Sequence, residues 1–360
     1  MCPAATKHSD EPYGRRLATA AWSAIGLLSL GAALSWPSPA ARAENAAAFY
    51  QSHTLTLGSP NSPGGGYDVY VRALARHIGK HIPGNPGIIV QNVPAAGGMV
   101  LANQIYNTAP KDGSYFGMVR GTAIQEQVYR SPQVQFDGRR FAWIGNMNSD
   151  HDACIVTPAS QVKTIADLYN HEVIAGASGV GAQSYSFPVV YRNLLHMKFK
   201  VISGYPGTPE RILALQRGEL TGACGISTSL FRSQFGSLAA EGKIRLIAQG
   251  SVTKDPRYPD IPNILDEAKS PDIRQALEFL FLPLALGRSL AAPPETPPDL
   301  LAILRDATAK TLRDPDFLAD AKKLGIDIEP MDAQGTKQTV DRLFATPPAV
   351  VARIEAALAQ

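Results

Sequence analysis

The residues of this chain that are best suited to binding chemistry lie in a glycine-rich turn at residues 58–68, Gly-Ser-Pro-Asn-Ser-Pro-Gly-Gly-Gly-Tyr-Asp. The turn follows a strand-like run at residues 54–57 and leads into a predicted helix that begins at Asp68. Consecutive glycines let a backbone approach a ligand closely, and the unpaired N–H groups at a helix N-terminus attract an anion. A carboxylate or a phosphate would suit this turn, although its spacing matches neither G-x-G-x-x-G nor the P-loop. The alternative is an ordinary turn in which Asp68 caps the helix.

Three further turns of small and hydroxyl-bearing residues lie between a predicted strand and a predicted helix, at residues 93–99, 176–184 and 203–209. Arg120 follows another predicted strand, where it could pair with a carboxylate or be an exposed arginine at a helix start. In open α/β sheets, ligands bind beyond the carboxyl ends of the strands. Turns of this kind in two domains therefore predict a binding cleft.

Catalytic chemistry finds little support in the sequence. His77 and His81 have the i, i+4 spacing of a zinc-binding helix, but the glutamate of the H-E-x-x-H motif is missing. Ser178 is followed directly by Gly179, so the Gly-x-Ser-x-Gly elbow of many hydrolases is missing as well. Since neither a triad nor a metal set can be assembled, we predict no enzyme activity, no cofactor and no metal site.

Short apolar runs typical of strands alternate with longer segments of helical periodicity along the chain. The first series of strands is predicted at residues 54–57, 87–91 and 115–119, and the second at residues 152–156, 172–175, 200–203 and 221–225. Such alternation favours parallel sheets covered by helices. The predicted fold class is therefore α/β, with two α/β units in tandem.

The charge balance argues against a nucleic-acid-binding surface. The chain has 360 residues, with 34 Lys and Arg against 31 Asp and Glu, and residues 1–43 contribute +2 of its net charge of +3. Hydrophobic residues make up 45% and charged residues 18%, which is ordinary for a folded globular protein. The length suggests two domains, and no basic face remains once the first 43 residues are removed.

Residues 1–43 have the pattern of a secretory signal peptide. The pair Arg15-Arg16 precedes an apolar stretch at residues 17–34, and Ala41-Arg42-Ala43 provides a small-x-small cleavage site before Glu44. A membrane anchor is the alternative, since an apolar stretch of about 18 residues nearly spans a bilayer. We predict cleavage near Glu44, by a general or a twin-arginine export route.

Two cysteines, Cys154 and Cys224, remain after the predicted cleavage. Both lie in apolar strand-like runs, and an exported protein enters a compartment that permits disulfides. One bridge between neighbouring strands and two buried thiols are both compatible with the sequence.

A series of short motifs follows in order along the mature chain. They are Pro63-Gly-Gly-Gly-Tyr-Asp68, Leu74-Ala-Arg-His77, Ile82-Pro-Gly-Asn-Pro86, Val90-Gln-Asn-Val-Pro94, Ala96-Gly-Gly98, Ala109-Pro-Lys-Asp-Gly113, Thr164-Ile-Ala-Asp-Leu168, Gly204-Tyr-Pro-Gly207, Arg217-Gly-Glu219 and Pro259-Asp-Ile-Pro262. This ordered set resembles the substrate-binding proteins of tripartite tricarboxylate transporters, and the resemblance covers nearly the whole mature chain.

The resemblance implies a periplasmic receptor with the type II periplasmic-binding-protein fold, in which two α/β lobes with parallel-rich sheets surround a central cleft. It implies capture of a small organic acid and delivery to a membrane permease. We expect a monomer that binds no nucleic acid, with lobe 1 at residues 44–149 plus 280–360, lobe 2 at residues 150–279, and crossings at residues 147–152 and 278–282. A periplasmic sensor for a membrane signalling protein and a secreted hydrolase are the alternatives.

The resemblance further implies that backbone N–H groups, hydroxyls and ordered waters hold the carboxylates of the ligand. Together with Arg120, the implied ligand-binding residues are Ser59, Asn61, Ser62, Gly65, Gly66, Tyr67, Asp68, Ala96 and Gly97 in lobe 1, and Ser178, Gly179, Gln183, Tyr205 and Thr208 in lobe 2. Many family members carry Asp where this chain has Thr221 after Gly218-Glu-Leu, so the identity of the ligand stays open.

Overall fold

Two β-sheets covered by helices make up this computed structural model, which describes residues 39–179, 182–205 and 207–359. The greater part of the predicted signal peptide, residues 1–38, lies outside the described residues. Among the described helices, none is both long enough and apolar enough to cross a lipid bilayer.

The first sheet has six strands in the order β11-β4-β10-β3-β1-β2, and the second has five in the order β7-β6-β8-β5-β9. The first sheet consists of β1 (Leu55–Ser59), β2 (Ile88–Asn92), β3 (Tyr115–Val119), β4 (Ala142–Asn146), β10 (Ser289–Ala292) and β11 (Met331–Asp332). The second consists of β5 (Asp152–Val156), β6 (Val173–Ala177), β7 (Phe199–Ser203), β8 (Gly222–Ser227) and β9 (Arg245–Gly250). The seven strands predicted from the sequence lie within two residues of their observed bounds.

The helices that connect and cover the strands are α1 (Pro39–Ser52), α2 (Gly66–Ile78), α3 (Met99–Asn107), α4 (Gly121–Val128), α5 (Gln183–Leu195), α6 (Thr208–Gln216), α7 (Thr228–Leu230), α8 (Gly236–Ala240), α9 (Pro271–Ala285), α10 (Pro298–Thr311), α11 (Pro315–Leu324), α12 (Ala333–Phe344) and α13 (Pro348–Leu358). A π-helical turn, Phe231–Phe235, joins α7 to α8.

Both sheets are mixed. Strand β1 pairs in parallel with β2 and β3, and β6 pairs in parallel with β7 and β8. The antiparallel neighbours β10 and β5 adjoin the segments that pass from one sheet to the other, where the chain direction reverses. The prediction of α/β units with parallel strands is confirmed, and the parallel strands are those that carry the glycine-rich turns.

Helix α2 shows why the local sequence forms these elements. Val71, Leu74 and Ile78 are fully buried and share one face of the helix, because their spacing follows the helical period. They belong to an apolar cluster with Leu55 and Leu57 of β1, which alternate with more exposed residues along that strand. Packing of α2 onto β1 and β2 thus fixes the position of the turn between them.

Two neighbouring segments, residues 146–150 and 284–289, connect the two sheets. The N–H of Met147 donates to the carbonyl of Arg288 at 3.1 Å, and the N–H of Asp150 donates to that of Leu284 at 2.8 Å. A Cβ atom on Gly287 would lie 2.9 Å from the carbonyl oxygen of Asn148, so this close approach requires glycine. Residues 278–282, where the second crossing was predicted, lie inside α9, just before the second of these segments.

Helix α13 covers the side of the molecule next to α9. Its Ala357 carbonyl accepts a hydrogen bond of 2.6 Å from the Asn193 side chain of α5, and Phe187 of α5 packs edge-on against Phe281 of α9 at 5.5 Å. The C-terminal helix thus contacts a helix of the second sheet. The lobe boundaries at residues 149–150 and 279–280 stay a prediction.

Cys154 of β5 and Cys224 of β8 form a disulfide bond between adjacent antiparallel strands. The structure thereby decides between the two arrangements that the sequence left open. Both cysteines are about 1% exposed, so the bond lies in the core of the second sheet.

Candidate functional site

The carboxyl ends of the parallel strands carry helices whose N-termini lack a side-chain cap. This holds for α2, α3, α4, α5 and α6, whose N-cap residues are Gly65, Gly98, Arg120, Ala182 and Gly207. Elsewhere, side chains of Ser270, Asp314 and Asp332 cap α9, α11 and α12, whereas α10 and α13, which begin with proline, also lack a side-chain cap. The first N–H groups of a helix have no partner within it, so these uncapped ends leave donors free for an anion.

The first turn is held in place by Asp68, which is fully buried. Its carboxylate accepts hydrogen bonds from Gly64 N at 2.7 Å, Arg72 Nε at 2.7 Å and Asn92 Nδ2 at 2.6 Å. Burial opposes ionisation of this carboxyl group, but the three hydrogen bonds outweigh it and lower the pKa of Asp68. The Asp68 carboxylate thus accepts hydrogen bonds that hold the turn together, rather than standing free for a ligand.

Asn92, at the end of β2, joins the first turn to the second. Its Nδ2 also donates to the carbonyl of Asn61 at 2.7 Å, and its Oδ1 accepts from Arg72 Nη2 at 2.9 Å. Sequence reasoning missed Asn92 and Arg72 as supports of the turn. The i, i+4 spacing of Asp68 and Arg72 was the available signal.

Arg120 lies where the first turn, the second turn and the end of β3 meet. Its guanidinium group stands 4.6 Å from the ring centre of Tyr67. A Cβ atom on Gly98, whose φ is +93°, would lie 2.8 Å from Arg120 Cδ and 3.2 Å from Pro60 Cβ. The structure therefore brings Tyr67, Arg120 and both turns together.

No acceptor contacts the Arg120 side chain among residues 39–179, 182–205 and 207–359. The side chain is half-buried, and its Nε is fully buried without a hydrogen-bond partner. A buried guanidinium donor without an acceptor costs free energy unless a ligand satisfies it. This arrangement favours an anion at the end of β3.

The other predicted residues of lobe 1 line the same edge of the sheet to different extents. Ser59 is fully buried, with its hydroxyl 3.5 Å from the carbonyl of Asn61. The residues on the surface of the two turns are Asn61, Ser62, Gly65, Gly66, Ala96 and Gly97, of which Asn61 and Gly65 are half-buried. These turn residues present backbone groups rather than charged side chains.

In the second sheet, Arg211 of α6 lies beneath the predicted site and is 2% exposed. Its guanidinium donates to the carbonyl of Cys224 and to Thr208 Oγ1, each at 2.8 Å. The Thr208 hydroxyl is therefore an acceptor for Arg211. Burial lowers the pKa of Arg211 to about 10.

The remaining residues predicted for lobe 2 have three different surroundings: the turn before α5, the face of β6 at Gly176, and a cavity between α4 and α5. The N–H of Ser178 donates to Ser184 Oγ at 3.1 Å, which closes the turn before α5, and Gly179 is half-buried there. The ring of Tyr205 packs over Gly176, 3.3 Å from the Cβ position of that glycine. The Tyr205 ring thus packs against β6, a contact that the family resemblance did not indicate.

Gln183 lines a cavity of about 370 Å³ between α4 and α5. The residues around this cavity are Thr122, Gln125, Glu126, Tyr129, Gln183, Tyr185, Ser186, Phe187, Leu280, Glu355, Leu358 and Ala359. Across the part of the chain described here, no three His, Cys, Asp or Glu side chains are grouped so as to hold a metal ion.

Asp152, at the start of β5, is a buried carboxyl group that the site prediction omitted. It is 3% exposed, and its Oδ1 accepts from the N–H of Ile226 at 3.0 Å. Burial is the main cause that raises the pKa of Asp152 to about 7, although hydrogen bonds and Arg211 act in the opposite direction.

We expect Asp152→Asn to gain stability relative to the unsubstituted protein as the pH rises. The folded protein holds the Asp152 proton up to a pKa of about 7, whereas an unfolded chain releases it near pH 4. The folded state thus binds more protons between these values, and the stability contributed by Asp152 falls as the pH increases. The difference in unfolding free energy between the two proteins should change by about 3 kcal/mol from pH 4 to pH 8.

Urea unfolding of both proteins at several pH values measures this change. Asp167→Asn is the control, because hydrogen bonds from Lys163 N, Thr164 N and the Thr164 hydroxyl lower the pKa of this exposed carboxyl. Its contribution to stability is lost as the pH falls, so its pH dependence has the opposite sign. If the difference in unfolding free energy between Asp152→Asn and the unsubstituted protein does not vary with pH, the pKa of Asp152 is the same in the folded and the unfolded protein.

The family model described as "Tripartite tricarboxylate transporter family receptor" matches residues 71–356. A Cupriavidus necator protein named "UPF0065 protein in gbd 5'region" is 25% identical over 312 residues, which cover 82% of this chain and 86% of that protein.

Solved structures of similar proteins share the fold. A TctC solute-binding protein from Polaromonas, solved without ligand, has a TM-score of 0.65 at 20% identity and covers 84% of this chain and 99% of its own. MatC from Rhodopseudomonas palustris with bound malate has a TM-score of 0.57 at 19% identity, covering 85% and 99%. A second R. palustris protein, with adipate, has a TM-score of 0.61 at 18% identity, covering 84% and 98%. These similarities confirm the predicted type II periplasmic-binding-protein fold.

Proposed function

This chain belongs to the tripartite tricarboxylate transporter receptor family, a family of periplasmic solute-binding receptors and not of enzymes, and we propose that it captures a small carboxylate between two lobes. Lobe 1 carries the turns before α2, α3 and α4, and lobe 2 carries those before α5 and α6. The receptor then delivers the acid, as an exported monomer, to the membrane subunits of a tripartite transporter.

The observation that carries this proposal is the Arg120 guanidinium without an acceptor, surrounded by uncapped helix N-termini. A carboxylate offers acceptors for the guanidinium and for backbone N–H groups at once. Two solved relatives bind the dicarboxylates malate and adipate, which makes both acids the first compounds to test.

Hydrogen bonds between the two connections, at residues 146–150 and 284–289, support closure of the lobes about a hinge at these segments. A ligand that touches turns of both lobes binds the closed form more tightly than the open form and shifts the population toward it. The closed, liganded receptor is the form that the transporter recognises.

Thermal unfolding of the protein beginning at Glu44, with a panel of mono-, di- and tricarboxylic acids, tests the proposal. A ligand present at 100 times its Kd adds about 2.7 kcal/mol to the stability of the folded state. We expect at least one acid to raise the Tm and a neutral analogue of the same acid to leave it unchanged. If only neutral metabolites raise the Tm, the carboxylate assignment is wrong.

Substitution of Gly66 by valine should weaken binding of that acid at least tenfold. No atom lies within 4 Å of the Cβ position of Gly66, so the valine fits the ligand-free protein and occupies the space in front of α2. Gly236→Val is the matched control, because its Cβ position is equally open and lies in α8, away from the turns. Isothermal titration of both variants distinguishes a blocked site from a general effect of valine.

Delivery is tested separately by uptake of the labelled acid in cells that lack this receptor. Restoration of uptake by the unsubstituted protein, but not by Gly66→Val, would support a role in transport. Normal uptake without the receptor would contradict delivery while leaving the binding proposal intact.

A further inference from the structure

Arg288, in the second connection between the sheets, has a side chain that is 7% exposed. Its Nη1 pairs with Asp150 Oδ2 of the first connection at 2.6 Å, and its N–H donates to Asn146 Oδ1 at 2.8 Å. Side chain and backbone of Arg288 are therefore both held by the neighbouring connection.

The same guanidinium group lies over two tyrosines of α2. Its Cζ is 4.2 Å from the ring centre of Tyr67 and 4.7 Å from that of Tyr70. Tyr67 is also the ring over which Arg120 lies, at 4.6 Å. A planar guanidinium stacks on an aromatic face in a preferred geometry. Arg288 thus restricts the position of the ring against which Arg120 rests.

Tyr70 extends these contacts toward the second sheet. Its hydroxyl accepts from the N–H of Asp327, whose carboxylate pairs with Arg257 at 2.7 Å and with Arg232. Asp327 follows Ile326, which packs against the core of the first sheet. Arg232 follows Phe231 in the core of the second sheet, and Arg257 precedes Tyr258, which packs against that core. These ion pairs therefore join elements of the two sheets beside α2.

We propose that Arg288 is a positioning residue that couples the hinge to the carboxylate site by holding Tyr67, and through it Arg120. The inference rests on the proposed function for its ligand, but the contacts from Asp150 through Arg288 and Tyr67 to Arg120 do not depend on that ligand. Movement of the two connections changes the position of Arg288, and the stacked ring carries that change to Arg120. Unlike Arg120, Arg288 has its Nη1 already paired, with Asp150 Oδ2 at 2.6 Å and with the carbonyl of Gly287 at 2.8 Å.

The test is Arg288→Lys, which keeps a cation beside Asp150 but removes the planar group over both rings. Malate and adipate are titrated separately against both proteins. For each acid that binds the unsubstituted protein, we expect Arg288→Lys to raise the Kd about tenfold. Arg139→Lys is the matched control, since Arg139 lies 4.9 Å from the Phe344 ring and pairs with Asp137 at 2.9 Å, remote from the turns. That control should bind normally.

A double-substitution cycle separates positioning from other roles. If Arg288 acts through Arg120, Arg288→Lys should raise the Kd less than threefold in an Arg120→Lys background. The same tenfold loss in both backgrounds would overturn the inference, because it would show independent action. A lower Tm with an unchanged Kd would also overturn it, by showing a role in folding alone.

A measurement without ligand keeps this inference distinct from the proposed function. The Nε–H resonance of Arg120, assigned by its loss in Arg120→Lys, should exchange slowly with water in the unsubstituted protein because Nε is buried. In Arg288→Lys the resonance should exchange faster or broaden. Unchanged exchange would overturn the coupling even if an acid binds, and faster exchange would support it even if neither malate nor adipate binds.

Discussion

Replacement of Arg120 by leucine is expected to raise the Kd for the bound carboxylate about a hundredfold. The Arg120 side chain has no acceptor among the described residues, and its Nε is buried. Hydrogen bonds to a charged group contribute about 1.5–3 kcal/mol, so loss of a guanidinium pair with the ligand corresponds to about two orders of magnitude. Isothermal titration with the acid identified by thermal unfolding measures the change.

Two further variants sharpen this experiment. Arg120→Lys keeps the charge but loses the bidentate geometry, and should lie between leucine and arginine in affinity. Arg313→Leu, which removes an exposed arginine just beyond the end of α10, should bind normally. Normal binding by Arg120→Leu would mean that backbone N–H groups, hydroxyls and waters hold the carboxylate without Arg120.

Removal of the disulfide should reduce the free energy of unfolding by about 4 kcal/mol. Cys154 and Cys224 are 70 residues apart in sequence, and a crosslink of this length removes about that much chain entropy from the unfolded state. Both side chains are buried in the core of the second sheet, so Cys154→Ala with Cys224→Ala also loses apolar contacts.

Guanidinium unfolding of the double variant and of the unsubstituted protein, with and without reductant, measures this difference. Reductant should destabilise only the unsubstituted protein. The double variant should retain the Kd for its acid where it is folded, because Cys224→Ala keeps the backbone carbonyl that accepts from Arg211, the donor to Thr208. A double variant within 1 kcal/mol of the unsubstituted protein would contradict the prediction.

The strands, the helices and the places of the turns were predictable from the sequence because they depend on local patterns. Alternating apolar residues mark β1, a continuous apolar run marks β3, helical spacing of Val71, Leu74 and Ile78 marks α2, and glycine-rich turns mark the ends of strands. The order of the family motifs extended these local patterns to the type II periplasmic-binding-protein fold.

Contacts between distant segments were not predictable, and they determine much of the site. Asp68 reads from the sequence as a ligand group or a cap, yet Asn92 and Arg72 occupy its carboxylate. Thr208 reads as a free hydroxyl, yet Arg211 donates to it. Asn92 comes from another strand, 24 residues away from Asp68. Arg211 is only three residues from Thr208, but its side chain is held beneath α6 by its hydrogen bond to the carbonyl of Cys224 in β8, and residue type alone does not reveal that contact.

The sequence by itself therefore determined the α/β class, the family and the positions of the turns that are proposed to form the site. Only the tertiary structure decided that Cys154 bonds to Cys224, that Arg120 is left without an acceptor, and that Arg288 lies over Tyr67. The physical reason is that propensity and periodicity depend on residues that are neighbours in the sequence. Side-chain hydrogen bonds, stacking and burial depend also on which distant segments the packed sheets bring together.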